Sequence, residues 1–266
     1  ISFGNQTTAD TYTVIATNGT TGCSSTMNNS CIISIDPSSV SGTASTVTPD
    51  VCPETSATLT LAGYTGSIQW QQSADGSTGW TNVTGGSGAN SDSYTTPALI
   101  ADTYYRAVVT SGTCVSVNSN VVLVSSNITW TGNGGNNLWS NPSNWSCNTV
   151  PNTTFNVNIN NGTPVLDVDF TVSASLRLGG NAELTIAPGK TLAVSAGGKS
   201  EFNGRKVLVQ SDASGNGMIG QIAGTLTGAT NVTVERHFTA RRAFRLITTP
   251  VTTTTSIRAN WMENAT

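Results

Sequence analysis

The sequence predicts an all-β protein built of β-sandwich modules followed by a region of short, rung-like strands. Three observations carry this. Charged residues make up only 9% of the chain, and Ser, Thr, Asn and Gly are abundant. That mix suits short strands with polar outer faces and suits helices poorly, because these residues are weak helix formers. Apolar and polar residues alternate with a period of two through the apolar stretches, the signature of half-buried strands. Gly-, Pro- and Asn-containing pairs interrupt those stretches at short intervals and supply turns. No helical apolar period of convincing length is present. The regular alternation and low charge also argue against disorder.

The central stretch, residues 46–125, reads as one complete module. Ala57-Thr58-Leu59-Thr60-Leu61 alternates as a strand. Ile68-Gln69-Trp70-Gln71 alternates again, which turns Ile68 and Trp70 inward and Gln69 and Gln71 outward. Asp75-Gly76 marks a turn. Tyr105, Ala107 and Val109 share one strand face, and Val121-Val122-Leu123-Val124 closes the module. The order Cys52, Trp70, the Tyr-rich strand, Cys114 resembles immunoglobulin-like sandwiches.

Val51-Cys52-Pro53, Gln69-Trp70, Tyr94-Thr95-Thr96-Pro97, Thr103-Tyr104-Tyr105 and Gly112-Thr113-Cys114 are also similar to the Ig-like repeats of very large surface proteins of Bacteroidota. Those include gliding-motility adhesins and other type IX secretion cargo. The likeness covers roughly a third of the chain. It departs from antibody domains at the residue two after Tyr104, which is Arg106 rather than Cys. The antibody-type inter-sheet bridge therefore does not carry over. Because they bracket the module, Cys52 and Cys114 are expected to pair; the alternative leaves them at different ends of the sandwich.

Upstream, Ala9-Asp10-Thr11-Tyr12 recurs as Ala101-Asp102-Thr103-Tyr104. Residues 1–37 thus read as the C-terminal part of a preceding Ig-like module. In that register Cys23 matches Cys114 and its partner lies upstream, with a local Cys23–Cys31 bridge as the competing assignment. Residues 36–45 read as a short linker or edge strand. An Ile at residue 1 and an abrupt end at Thr266 lead us to expect a piece of a longer processed chain.

From Asn127 the texture changes. Trp130-Thr131-Gly132, Leu138-Trp139 and Asn144-Trp145-Ser146 follow one another closely. This resembles a motif of secreted bacterial β-solenoid and autotransporter-like proteins. Rung-like strands follow at Val157/Ile159, Leu176/Leu178, Leu184/Ile186 and Leu192/Val194, punctuated by Gly179-Gly180, Pro188-Gly189 and Gly197-Gly198. Residues 127–266 are therefore expected to form a β-helix-like region, or else a jelly-roll-like sandwich. They end in a basic segment similar to one that follows the solenoid in Bacteroidota surface proteins.

Charge divides the chain. Residues 1–176 hold one base, Arg106, against nine acids, whereas residues 177–266 hold ten bases against five acids. A solvated basic face is the plain reading of the second part; contact with anionic glycans is the alternative. No apolar run is long enough for a membrane helix. Five cysteines, Cys23, Cys31, Cys52, Cys114 and Cys147, without a C-x-x-C and with a single His, point to disulfides rather than a zinc site. The odd number leaves Cys147 free or paired outside this stretch.

Little catalytic chemistry is encoded. His237 has no Gly-x-Ser-x-Gly elbow to serve. Asp167 and Asp169 stand two apart, a spacing that puts both carboxylates on one strand face. There they suit a calcium ion or paired-acid chemistry, or simply solvation opposite Leu166 and Val168. Trp130, Trp139 and Trp145 are either sugar-stacking faces or a solenoid cap. Arg236, Arg241, Arg242 and Arg245 are the densest basic cluster, interleaved with Phe238 and Phe244, and nucleic acid is not expected there. No phosphate loop precedes a helix.

The expected function is structural and adhesive, not enzymatic: a segment of a large exported bacterial surface protein, at the cell surface or outside it, used in attachment or gliding. No cofactor is expected beyond possible calcium. The expected partners are surface glycans or other extracellular ligands, neighbouring modules of the same chain and, by resemblance, bacterial secretion machinery. The alternatives are a glycan-binding accessory region of a secreted polysaccharide-degrading enzyme, or a filament or sheath subunit.

Overall fold

The computed structural model describes residues 7–26 and 28–238. These residues are nearly all strand and turn, with one 3-10 turn at Pro142–Asn144. The chain divides into two compact units, one built on residues up to Val51 and on Thr55–Ser125, the other on Cys52–Glu54 and the residues from Ser126 onward.

The first unit contains an antiparallel sandwich. One sheet is ordered Ser93–Thr95, Thr58–Thr65, Val40–Thr46. The other places Thr81–Asn82, Ser67–Ser73, Thr103–Thr110 and the start of Val122–Thr129 side by side. Val117–Asn118 also pairs with Thr103–Thr110, and Asp50–Val51 with Val122–Thr129. The alternation seen in the sequence sets the core. Leu59 and Leu61, Ile68 and Trp70, and Tyr105, Ala107 and Val109 all point inward and are buried. Tyr94 sits between the two other large rings, its centroid 6.2 Å from Trp70 and 6.0 Å from Tyr105. The Trp70 indole N–H donates to the Ser91 carbonyl (2.9 Å) and the Tyr94 hydroxyl to the Gly85 carbonyl (3.1 Å). Burial pushes the pKa of Tyr105 and Tyr94 upward. The first strand begins at Val40, inside the segment expected to be a linker or edge strand. It is an edge strand, and the module starts there rather than at residue 46.

Residues upstream form a two-part hairpin. Asp10–Tyr12 pairs with Cys31–Ile33, and Ile15–Thr17 pairs with Ser24–Thr26. The central module repeats this arrangement: Thr103–Tyr105 pairs with Val122–Val124, and Val108–Val109 with Val117–Asn118. In both, the register slips between the two halves. The recurrence of Asp-Thr-Tyr thus extends to strand pairing. Burial does not recur. Ile15 and Ile32 are 62% and 75% exposed, while their counterparts Ala107 and Val124 are fully buried.

The second unit is a parallel β-coil. Three parallel ladders run through it. The first orders Asn127–Thr129, Asn156–Ile159, Ser175–Leu178, Lys199–Glu201 and Thr225–Thr227. The second orders Val165–Leu166, Glu183–Ile186, Lys206–Val209 and Val232–Val234. The third orders Phe170–Val172, Thr191–Val194 and Met218–Ile222. From Asn156 onward the ladder strands take the three ladders in turn, so each circuit is one rung. A jelly roll pairs its strands antiparallel; parallel ladders on all three sides identify the β-helix-like alternative. Val157, Ile159, Leu176, Leu178, Leu184, Ile186, Leu192, Val194, Val207 and Val209 stack inside. The rung spacing is uneven because corners absorb insertions. Ser211–Asp212 and Gly215–Asn216 make a small hairpin between the second and third ladders.

Candidate functional site: an arginine–tryptophan platform

The outward face of the sandwich sheet carries a cluster that local sequence reading missed. Register places Asn82 opposite Gln71, and Gln71 opposite Arg106, on three neighbouring strands. Antiparallel partners that face each other share a side of the sheet, so the three form a row. Arg106 donates from Nε (3.0 Å) and from Nη2 (2.9 Å) to Gln71 Oε1. Gln71 Nε2 donates to Asn82 Oδ1 at 3.2 Å. The Arg106 guanidinium lies over the Trp80 ring, 4.3 Å from its centroid. Trp80, Gln71 and Arg106 are half-buried and Asn82 is exposed.

Trp80 is delivered by a tightly bonded loop. Asp75 accepts from the backbone N–H of Ser77 (2.8 Å) and Thr78 (2.7 Å) and from the Thr78 hydroxyl (2.6 Å). The Ser73 hydroxyl donates to the Thr78 carbonyl at 2.6 Å. These bonds, that from the Thr78 hydroxyl foremost, hold the Asp75 carboxyl well below the usual carboxylate range. Gly76 has φ of 70°, and a Cβ there would meet the Tyr104 ring at 2.6 Å. The Asp75-Gly76 turn signal was legible; that it aims an indole at Arg106 was not.

The orientation of the amides follows from charge. A guanidinium has no acceptor, so Gln71 must present its oxygen to Arg106. Its NH2 then faces Asn82, which must present oxygen in turn. The amide oxygens of Gln71 and Asn82 are each turned toward a donor of the row. Among the described residues Arg106 Nη1 and Asn82 Nδ2 have no partner, and both are donors. Arg106 is in no ion pair there: the ion pairs are Arg177–Glu201 (3.7 Å) and Lys206–Glu183 (3.0 Å), both exposed.

The tryptophan motif is placed differently from one of the readings offered above. Trp130, Trp139 and Trp145 are 6%, 0% and 1% exposed, so their faces are not available to stack on sugars. They enter the coil core instead. Trp145 packs edge-on against Trp130 (5.0 Å) and Trp139 (4.7 Å), and Trp139 lies 4.9 Å from Phe170 of the first full rung. Buried Asn144 organises the segment. Its Oδ1 accepts from Gly134 N–H (2.7 Å), and its Nδ2 donates to the Leu138 carbonyl (2.9 Å) and Asn136 Oδ1 (3.1 Å). Gly134 leaves that approach open, since a Cβ there would sit 2.7 Å from Asn144 Oδ1.

The expected Cys52–Cys114 bridge is not formed. Cys52 is bonded to Cys147, with Cα atoms 5.8 Å apart. The direction of the strands explains it. Cys52 follows Asp50–Val51, near which Ser125 N–H donates to the Pro49 carbonyl, and Val124 pairs with Thr103. Cys114 comes after the far end of Thr103–Thr110, about 24 Å along that strand. Meanwhile Ser146 exchanges hydrogen bonds with Thr129, which brings Cys147 to the end of Val122–Thr129. Cys147 is therefore neither free nor paired outside the chain. Cys114 is an unbridged cysteine 3.7 Å from the Pro37 carbonyl, and Cys23 and Cys31 are exposed free thiols rather than a local bridge.

Asp167 and Asp169 lie not within a strand but at the corner between Val165–Leu166 and Phe170–Val172. Asp167 accepts from Ser140 N–H (2.9 Å) and its hydroxyl (2.5 Å), and Asp169 from Thr191 N–H (2.8 Å). They tie neighbouring segments together, and among the described residues no group of three or more His, Cys, Asp or Glu is placed to hold a metal ion. His237 is exposed beyond the last strand, its N–H donating to Ser211 Oγ (2.8 Å). Arg241, Arg242, Phe244 and Arg245 lie outside the described residues. Among those described, no helix is long and apolar enough to cross a membrane.

Residues 40–128 match a family model described as a domain of unknown function (DUF8696), about a third of the chain. The matched stretch coincides with the sandwich from its first strand, Val40–Thr46, into its last, Val122–Thr129. No curated protein and no solved structure matches the chain.

Proposed function

We propose that this chain is a structural and adhesive segment of a large exported bacterial surface protein, of the kind Bacteroidota use for attachment or gliding. The observation that carries this reading is the division of labour among strand faces. Inward faces are spent on scaffold cores, while the outward sandwich face holds a preformed row of donors, Arg106 and Asn82, backed by Trp80. Such a face suits holding a ligand rather than transforming it. The Cys52–Cys147 bridge suits an oxidising, extracellular setting. Many copies of a weak site gain strength through effective concentration, which suits an attachment protein. Type IX secretion belongs to the proposal through the resemblance of the Ig-like repeats alone.

An accessory region of a polysaccharide-degrading enzyme uses the same kind of face and is the second reading. The two part company in the cell that makes the protein. Deleting the gene is expected to abolish attachment or surface spreading while polymer degradation continues unchanged. Intact attachment with lost degradation would overturn the adhesive reading in favour of the accessory one. In the purified chain, turnover of a polysaccharide that vanishes in Asp167→Asn/Asp169→Asn would overturn the non-enzymatic part.

A further inference from the structure

We infer that the Trp80–Arg106–Gln71–Asn82 platform is a binding site for an acidic polysaccharide whose carboxylates are isolated along the chain, such as a hexuronate glycan. The inference rests on the adhesive reading and gives it a site and a ligand class.

Three features select the ligand. First, polarity: the row turns its amide oxygens toward its own donors and leaves Arg106 Nη1, which is charged, and Asn82 Nδ2 as open donors, which favours a ligand rich in acceptors. A carboxylate taking the open edge of a fixed guanidinium makes charge-assisted bonds. Gln71 on one edge and the Trp80 ring on one face hold that guanidinium in a single plane, so little side-chain freedom is lost on binding. Second, charge density: Arg106 is the sole base in residues 1–125, against seven acids, Asp10, Asp36, Asp50, Glu54, Asp75, Asp92 and Asp102. That surrounding field opposes a densely charged polyanion such as a nucleic acid or a polyglutamate tract. One cation in an acidic unit matches one carboxylate in an otherwise uncharged stretch of polymer. Third, shape: the site lies on an open sheet face, with half-buried Tyr104 and Val108 on the same side of the strand as Arg106. Such a surface admits an extended chain with apolar sugar faces between its carboxylates.

The test is affinity gel electrophoresis of the purified full chain through pectin of intermediate methyl esterification, with dextran as the neutral control and poly-L-glutamate as the dense polyanion. The variants are Arg106→Gln, Trp80→Ala and, as a charged but non-planar replacement, Arg106→Lys. Thermal unfolding of each variant checks that the sandwich is intact. The expected result is retardation by pectin but not dextran. Arg106→Gln should lose roughly tenfold or more in affinity. Arg106→Lys should lose much of the same, because the stacked plane is gone. Binding should weaken only gently with salt, as a single screened pair does. Equal retention of the wild type and Arg106→Gln would overturn the platform while leaving the adhesive reading standing, since some other face would then bind. Arg106-dependent retention by poly-L-glutamate and not by pectin would overturn the ligand class. Retention by neither polymer would overturn the inference as a whole, and only the cell-attachment experiment above would then bear on adhesion.

Discussion

Each unit of this protein gathers large aromatic rings in its core, and the two gatherings do opposite jobs. In the sandwich, Trp70, Tyr94 and Tyr105 stand on three different strands and meet between the sheets. In the coil, Trp130, Trp139 and Trp145 come from one segment between the first two strands of a ladder and close against the first full rung. The sandwich needs bulk at its centre because two twisted sheets leave a thick space there. The coil fills its interior mostly with stacked Leu, Val and Ile, with Phe202 farther along, and gathers its indoles where the stack begins. The same residue type, equally buried, is a keystone in one unit and a lid in the other.

Four experiments sharpen or break that contrast. The largest effect is expected from the disulfide, because the loop it closes holds the sandwich strands from Thr58–Thr65 to Val122–Thr129. Closing a loop of sequence separation 95 stabilises by about 4–5 kcal/mol in the chain-entropy model. Cys147→Ser, or reduction, should lower the denaturation midpoint and speed amide exchange in Thr58–Thr65, inside the closed loop, far more than in Glu183–Ile186, outside it. Equal acceleration in both would erase the distinction between the units. Next come Trp70→Ala and Trp139→Ala, each costing about 3–5 kcal/mol. Peptide-resolved exchange should assign the first to Thr103–Thr110 and the second to the rungs nearest Phe170. A lid whose loss leaves Asn156–Ile159 protected is no lid.

A finer division falls within the cap. The Trp145 indole N–H donates to the Trp139 carbonyl at 2.8 Å, whereas the buried indole N–H of Trp139 has no partner among the described residues. Trp145→Phe should therefore cost roughly 1–3 kcal/mol more than Trp139→Phe, in chemical denaturation of the two variants. The smallest effect is with pH. All five tyrosines of the chain lie in residues 1–125. Burial raises the folded-state pKa of Tyr105 above its unfolded value, so the stability that goes with the neutral phenol is complete below about pH 10. Above that the unfolded phenol ionises and the folded one resists, costing about 1.4 kcal/mol per pH unit. Alkaline titration should loosen the sandwich before the coil. At the acid end the Asp75 carboxyl is depressed, so its loop is intact above about pH 4 and loosens as pH falls; tryptophan fluorescence that drops in the wild type but not in Asp75→Asn would report it.

Strand phase was the most legible property of this sequence. The alternation at Ile68/Trp70, at Tyr105/Ala107/Val109 and along the rungs predicts which side chains are buried, because a period of two is a local property of the chain. The disulfide was illegible for the opposite reason. Bracketing a module says nothing about which end of an eight-residue strand a cysteine occupies, and Cys114 lies at the far end from Cys52. The jelly-roll and β-helix readings shared the same turn spacing and differed only in strand direction, which short strands do not encode. The platform was invisible because it joins Gln71, Trp80, Asn82 and Arg106 through register, and no one of them is unusual where it stands. Arg106 did leave a trace, as the sole base in the first 176 residues.

The parallel ladders carry a consequence for how such a chain changes its length. Every rung meets only the rung before and the rung after, and its backbone groups are satisfied there without reference to anything farther away. Residues 175–198 occupy one full circuit, Ser175–Leu178, Glu183–Ile186, Thr191–Val194 and the corner that returns the chain to Lys199, the partner of Ser175. Duplicating that block in frame inserts a turn whose neighbours on both sides already fit it, and extends the coil by one strand spacing, about 4.8 Å. Excision shortens it by the same step. A sandwich admits no such edit, since each of its strands closes a single core. Reach, in this molecule, is therefore a quantity that heredity can adjust in small equal increments without redesigning a fold.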